Sequence, residues 1–267
     1  MKVAAITGAS GGIGREMAKL LAADYRVYDL SRSGKDDENI VHIDADVTSE
    51  ESLDTAFARI LAREGHLDLL VCNAGMGIAG AAEFTEEEAA KHQMDVNFFG
   101  VFRTVKKALP LLRLSGGRIV AVSSAAAPFP IPFQSFYSAS KAAINGFICA
   151  LRNEVRHFGV SVCGVMPGDT KTGFTGAREK AFDGEEVYGG RIGPSVAVME
   201  KDEQNGMSAE KVAKAIVRIA KKRHVRPLYT IGLKYKLFIL VKKLVGTTVV
   251  NWLIGLLYVK KPKKEGK

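Results

Sequence analysis

Cysteine is scarce in this chain. Three residues, Cys72, Cys149 and Cys163, are spread over 267 positions, each inside an apolar run. That spacing excludes a disulfide framework and a Cys/His metal cluster, so no metal site is expected. It fits buried thiols in a reducing cytosol. No signal peptide is expected either. Met1-Lys2 leads straight into a strand-like run, and Glu16, Asp24 and Asp29 follow early. Long hydrophobic runs are few. The uncharged stretch 244–259 is interrupted by Gly246, Thr247, Thr248, Asn251 and Gly255. It falls short of the roughly 18–20 apolar residues a spanning helix needs.

Acids are almost missing from the end of the chain. Residues 221–267 hold thirteen Lys and Arg against a single acid, Glu265. Residues 1–220 hold 25 basic and 28 acidic groups, so the net charge of +9 resides in the tail. A mildly acidic body with a basic tail points to an anionic partner for the tail. The apolar spacing there suits a membrane surface and packing on the protein equally, and no nucleic-acid partner is expected.

What is present suits one large α/β domain, since 47% of the residues are hydrophobic. Apolar strand-like runs start at Lys2, Tyr25, Ile40, Leu67, Arg118 and Val160, separated by segments of helical periodicity. Thr48 or Ser49, and later Ser208, stand where helix caps belong. Strands alternating with helices imply a doubly wound parallel sheet, a Rossmann-like fold. A long helix is expected over 86–114, and a polar, Gly-rich, poorly periodic loop over 172–206. The expected organisation is one domain over 1–225 followed by a basic, apolar extension over 226–267.

Two stretches carry chemistry. The first strand runs into Gly8-Ala9-Ser10-Gly11-Gly12-Ile13-Gly14 and then a helix. Glycines there let backbone N–H groups approach a pyrophosphate, with the helix dipole in support. The second is Tyr137-Ser138-Ala139-Ser140-Lys141. Four residues apart on a helix, the phenol and the ammonium share one face, and the positive charge should lower the tyrosine pKa. Ser123 and Ser124 end an apolar strand nearby in sequence. Together these features suggest a hydride-transfer site with a tyrosine acid/base.

The glycine turn, Asn73-Ala74-Gly75, Ser124, Tyr137-x-x-x-Lys141 and Pro167-Gly168, in this order, resemble the short-chain dehydrogenase/reductase family over about residues 1–225. The resemblance implies a seven-stranded doubly wound sheet and an NAD or NADP cofactor. By motif position, Tyr137 is the general acid/base, Lys141 tunes it and holds the nicotinamide ribose, and Ser124 bonds the substrate oxygen. Asn97 holds a water in the proton relay, and Ser123 is a structural neighbour. The cofactor contacts implied are Gly8, Ser10, Gly12, Ile13 and Gly14 at the phosphates, Asp46 and Val47 at adenine, and Asn73, Ala74 and Gly75 along the adenosine. Pro167, Gly168, Thr170 and Thr172 follow at the carboxamide and phosphates. The family also implies a homodimer or homotetramer through the helices near 86–114 and 137–157.

Alignment to that family puts Ser31 and Arg32 where an acid would bond the ribose hydroxyls, so NADP(H) is preferred over NAD(H). A register two residues earlier makes Asp29 the ribose acid and reverses the preference. Phe129, Ile131, Phe133 and Met166 suggest a pocket wall for a lipophilic substrate such as a steroid or retinoid, or else core and partner packing. The expected location is cytoplasmic, peripheral at a membrane if the tail binds lipid. In that case Leu237, Leu240, Val241, Leu244 and Val245 form one apolar face, with Trp252 and Tyr258 at the interface. The same face could instead cover the pocket or a subunit contact. A catalytically silent cofactor-binding protein or a membrane-surface interaction protein of the same fold is the competing function. An epimerase of the longer family branch is a further rival, with a different glycine spacing.

Overall fold

The computed structural model describes residues 1–260. Lys261, Lys263, Lys264, Glu265 and Lys267 of the basic tail lie outside the described residues. Strands β1 (Lys2–Thr7), β2 (Tyr25–Ser31), β3 (Ile40–Asp44), β4 (Leu69–Cys72), β5 (Arg118–Val122), β6 (Ser161–Pro167) and β7 (Leu228–Ile231) form one seven-stranded sheet. Their order is β3-β2-β1-β4-β5-β6-β7, and every pairing is parallel. The chain winds outward from β1 to β3 and then returns to β4. The crevice between the carboxyl ends of β1 and β4 is therefore the switch point at which α/β sheets bind ligands.

The inner strands are buried on both faces, while the edge strands β3 and β7 are mostly half-buried. Val3 and Ala5 of β1 join one core with Leu53, Phe57 and Ile60 of α2 (Glu50–Glu64), Val105 and Leu112 of α4 (Gly100–Ser115), and Ile144 and Ile148 of α5 (Ser135–Val155). Ala4 and Ile6 face the other way, against Met17 and Leu21 of α1 (Gly12–Leu21) and Val212 and Ile216 of α8 (Ala209–Ala220). Ser49 caps α2 by accepting from the Ser52 N–H at 3.1 Å, and Ser208 caps α8 by accepting from the Lys211 N–H at 3.2 Å.

The sequence expectations need correction in three places. The helix over 86–114 is really α3 (Glu87–Met94), a π-helical segment (Asp95–Phe99) and α4. The domain does not end at 225, because β7 pairs with β6 and belongs to the sheet. The extension beyond it is α9 (Leu233–Tyr258). The segment 172–206 is not an irregular loop. It contains α6 (Phe174–Ala177) and α7 (Ile192–Gln204), whose buried Ile192, Val196 and Met199 pack on Ala79, Ala81 and Phe133 in a small separate core. Two short parallel pairings, Ile78–Gly80 with Glu179–Ala181 and Thr170–Lys171 with Met207–Ser208, fix this segment over the carboxyl edge of the sheet.

Candidate active site

The glycine turn is built by close backbone contact. Gly8 and Gly12 sit at φ 68° and 52°, the left-handed region where a side chain is strained. A Cβ at Gly14 would overlap the Gly8 carbonyl oxygen, so α1 can start this close to β1 only with glycine. Asn73 at the end of β4 ties the two strands together. Its amide donates to the carbonyls of Thr7 (3.2 Å) and Gly8 (3.0 Å). Thr7 Oγ1 in return accepts from the N–H groups of Asn73 (3.0 Å) and Ala74 (3.1 Å).

A cavity of about 1160 Å³ opens above this turn. Gly8, Ser10, Gly12 and Ile13 line it at one end, with Ser31, Arg32, Asp46, Val47, Asn73, Ala74 and Gly75 beside them. Ser124, Tyr137 and Lys141 line it further along, together with Pro167, Gly168, Thr170 and Thr172. Gly14 lies beneath the surface as a packing residue. Asp46 is held firmly. Against the cost of burial, the N–H and hydroxyl of Thr48 bond its Oδ1 at 2.8 and 2.7 Å, and with the Arg32 charge they keep its carboxyl below the usual range.

Asn97 does not line the cavity. Its side chain is fully buried in the π-helical segment. Its Oδ1 accepts from the Met76 N–H (2.8 Å), and its Nδ2 donates to the Met76 carbonyl and to Ser140 Oγ (both 3.0 Å). The two bonds to Met76 make it a brace for the Gly75–Met76 segment. Of the expected apolar wall, Phe129 and Ile131 face the cavity. Phe133 and Met166 are instead buried, Phe133 in the small core at φ 61°.

Tyr137 and Lys141 occupy successive turns of α5, with the Lys141 Nζ 5.7 Å from the Tyr137 ring centroid. Lys141 is buried and donates to the Val122 carbonyl at 3.1 Å. Ser123 Oγ donates to the Lys141 carbonyl at 2.9 Å, which makes it structural. Ser124 Oγ accepts from the Ala126 N–H at 3.0 Å, fixing its position at the strand end. The expected lowering of the tyrosine pKa is reversed. Burial pushes Tyr137 up to about 12, with the Ser124 hydroxyl acting downward, Glu203 upward and Arg178 downward. Burial also lowers Lys141 to about 8.

Comparison with known proteins agrees with this geometry. The family model for short chain dehydrogenases matches residues 2–182. The chain belongs to the short-chain dehydrogenase family. A 3-ketodihydrosphingosine reductase from Bacteroides thetaiotaomicron is 41% identical over 226 residues, covering 82% of this chain and 83% of that protein. A probable short-chain type dehydrogenase/reductase from Helicobacter pylori is 35% identical, covering 89% and 90%. The crystal structure of a short-chain dehydrogenase from Streptomyces avermitilis superposes with a TM-score of 0.79 at 30% identity, covering 91% and 92%. This short-chain dehydrogenase is accordingly an NAD(P)-dependent oxidoreductase acting between alcohols and carbonyls, with a small-molecule substrate. Family members commonly form oligomers. The glycine cradle at the helix N-terminus, which a Cβ would fill, fits the pyrophosphate of a nicotinamide dinucleotide.

The structure adds cavity residues that sequence reading missed. Phe174 packs at 5.8 Å from the Tyr137 ring, and Glu203 pairs with the buried Arg178 and accepts from Thr175 Oγ1 at 2.7 Å. Tyr235, Phe238 and Tyr258 of α9 also line the cavity. No local motif marks them. The one visible signal is a set of ring residues recurring within an otherwise aliphatic helix.

Burial of Lys141 has a pH signature. The unfolded chain holds that proton to about pH 10.5, the folded chain only to about 8, so stability rises with pH between these values. Lys141→Met removes this dependence. Relative to that variant, the wild-type unfolding free energy should climb by about 3 kcal/mol from pH 8 to 10.5. Urea unfolding across that range checks it, and parallel profiles would show that Lys141 is not a buried ammonium.

Proposed function

We propose that the protein is an NADP(H)-dependent reductase of a long-chain, lipophilic carbonyl compound, with Tyr137 as the proton donor. The observation that carries this reading is the convergence of Ser124, Tyr137 and Lys141 on one cavity whose far wall is apolar. The bound nicotinamide supplies or accepts the hydride. Ser124 and Tyr137 bond the substrate oxygen and stabilise its developing charge. A phenol kept protonated by burial suits the reductive direction, because it retains its proton until an oxyanion appears nearby. The Lys141 ammonium then favours the phenolate that remains and holds the nicotinamide ribose. Asn97 serves through its brace on Gly75–Met76.

Support for NADP(H) comes from the end of β2. Asp29 accepts from the Ala9 N–H at 3.0 Å, and its other oxygen lies 3.5 Å from His42 Nδ1. It braces the glycine turn from behind and does not line the main cavity. Ser31, Arg32 and Ser33 do line it, and an arginine pairs a 2′-phosphate where an acid would repel it. The remaining cofactor contacts are those that face the same cavity, from Ser10 to Thr172. The sphingoid-reductase relative, together with Leu237, Val241, Leu253 and Leu257 on the cavity wall, supports an alkyl-chain substrate over a compact polar one.

Tyr137→Phe should retain NADPH binding and lose on the order of 10²–10⁴-fold in kcat on 3-ketodihydrosphingosine. Wild-type kcat/KM should be higher with NADPH than with NADH, and Arg32→Ala should narrow the gap. Undiminished turnover by the phenylalanine variant, or a preference for NADH, rejects the corresponding assignment.

The tail fits peripheral attachment to an anionic membrane. α9 is long and apolar enough to cross a membrane by length and composition, more than the interrupted run 244–259 suggests. It is broken at Gly246, however, and carries Lys234, Lys236, Lys242 and Lys243 in its first half. Leu233, Leu244, Trp252 and Leu256 are exposed on it, a patch that basic residues would hold against anionic lipid. At low salt the full chain should sediment with phosphatidylserine vesicles, and Leu244→Glu with Trp252→Glu should weaken this at least several-fold. Equal sedimentation of both proteins counts against the surface.

Exposed Phe99 and Phe102 on the α4 side suit a homodimer or homotetramer, which light scattering should show as a multiple of the chain mass. A monomeric mass removes this assignment.

A further inference from the structure

The first half of α9 bridges the two loops that border the reacting centre. Gly232, at φ 102°, turns the chain from β7 back over the sheet. Three residues later the Tyr235 ring lies flush on Gly168, where any Cβ would overlap it. Its hydroxyl accepts from the Asp169 N–H at 3.0 Å and donates to the Asp169 carboxylate. One phenol thus grips both the backbone and the side chain of the residue following Pro167-Gly168. The second loop is gripped from the next turn. Phe238 stacks edge-on with Tyr235 at 6.0 Å and with Phe129 at 6.2 Å. Lys242 donates to the Pro128 carbonyl and lies 5.5 Å over the Phe129 ring. Phe129 belongs to the segment between Ser124 and Tyr137.

We infer that Tyr235 is a positioning residue for hydride transfer, holding the Gly168–Asp169 segment and, through Phe238 and Phe129, the loop that separates Ser124 from Tyr137. This rests on the reductase reading above. None of the clamp's hydrogen bonds is made to Ser124, Tyr137 or Lys141. Its effect is on geometry: a loop free to drift by an ångström misplaces the groups it carries, and such errors cost rate more than affinity. The clamp also makes the extension part of the active site, since a chain lacking α9 would lose the only phenol that meets Asp169 among the described residues.

The test compares wild type, Tyr235→Phe, Asp169→Ala and the double variant, as full chains, with NADPH and 3-ketodihydrosphingosine. Tyr235→Phe keeps the ring on Gly168 and removes only the hydroxyl bonds. It should lower kcat on the order of tenfold, with the melting temperature and the NADPH Kd from fluorescence titration close to wild type. Asp169→Ala, which removes the acceptor of the Tyr235 hydroxyl, should show a similar loss, and the double variant should lose little more than either single one, because both break the bond between these two side chains. A variant that merely melts earlier while keeping wild-type kcat overturns the clamp, as does full additivity of the two losses. Absence of turnover by wild type removes the reductase reading and the clamp with it. Wild-type turnover alongside an unimpaired Tyr235→Phe removes the clamp alone.

Discussion

The approach of α1 to the end of β1 is the constraint on which the site depends. A helix can begin there only because position 14 lacks a side chain and the Gly8 carbonyl is free to accept from Asn73. Asn73 reaches from β4, across the one place where the sheet reverses direction. The same few atoms therefore set the helix start, join the two halves of the sheet and leave a concave, glycine-lined floor. A polar side chain is needed because the strand-end carbonyls, withdrawn from water, require donors.

Around Tyr137 and Lys141 water is partly withdrawn, since Lys141 is buried and Tyr137 half-buried on the cavity wall. Tyr137 and Lys141 would titrate at ordinary values in solvent. Enclosed together, both shift towards the neutral form, the phenol upward and the ammonium downward. Each then becomes more sensitive to charge created beside it, because the low-dielectric surroundings do not screen that charge. The Lys141 bond to the Val122 carbonyl and the Ser123 bond to the Lys141 carbonyl hold the helix and strand in register. The ammonium is thereby kept within reach of the ring without a carboxylate partner among its observed bonds.

Much of this was legible in the sequence, for physical reasons. The inner strands announce themselves as apolar runs because they are buried on both faces, and the glycines because no other residue fits. Tyr137 and Lys141 could be paired because a helix turn is local geometry, whereas Ser124 joined them only through the family resemblance. What sequence hid is what long-range packing decides. β7 is short and follows Arg223 and Arg226, so its composition reads as tail although it pairs with β6. α7 packs on a satellite core, which weakens its periodic signal. The direction of the Tyr137 shift depends on enclosure by Phe174 and its neighbours, some 37 residues away in the chain. The bonds of Asn97 to Met76 and Ser140 were likewise hidden, since they join residues 21 and 43 positions apart.

The break at Gly246, with φ 78° and ψ 173°, splits α9 into arms of thirteen and twelve residues. At a rise of about 1.5 Å per residue, each arm is roughly 18–20 Å long. The hydrocarbon interior of a bilayer is about 30 Å thick. Neither arm reaches from one headgroup layer to the other. The first is also pinned to Asp169 and Pro128, and the second to Asp202 and Ser195 through Tyr258 and Lys260. A single glycine torsion thus turns a segment with the length and greasiness of a transmembrane rod into a two-panelled awning over the cavity, one face against the protein and the other turned outward.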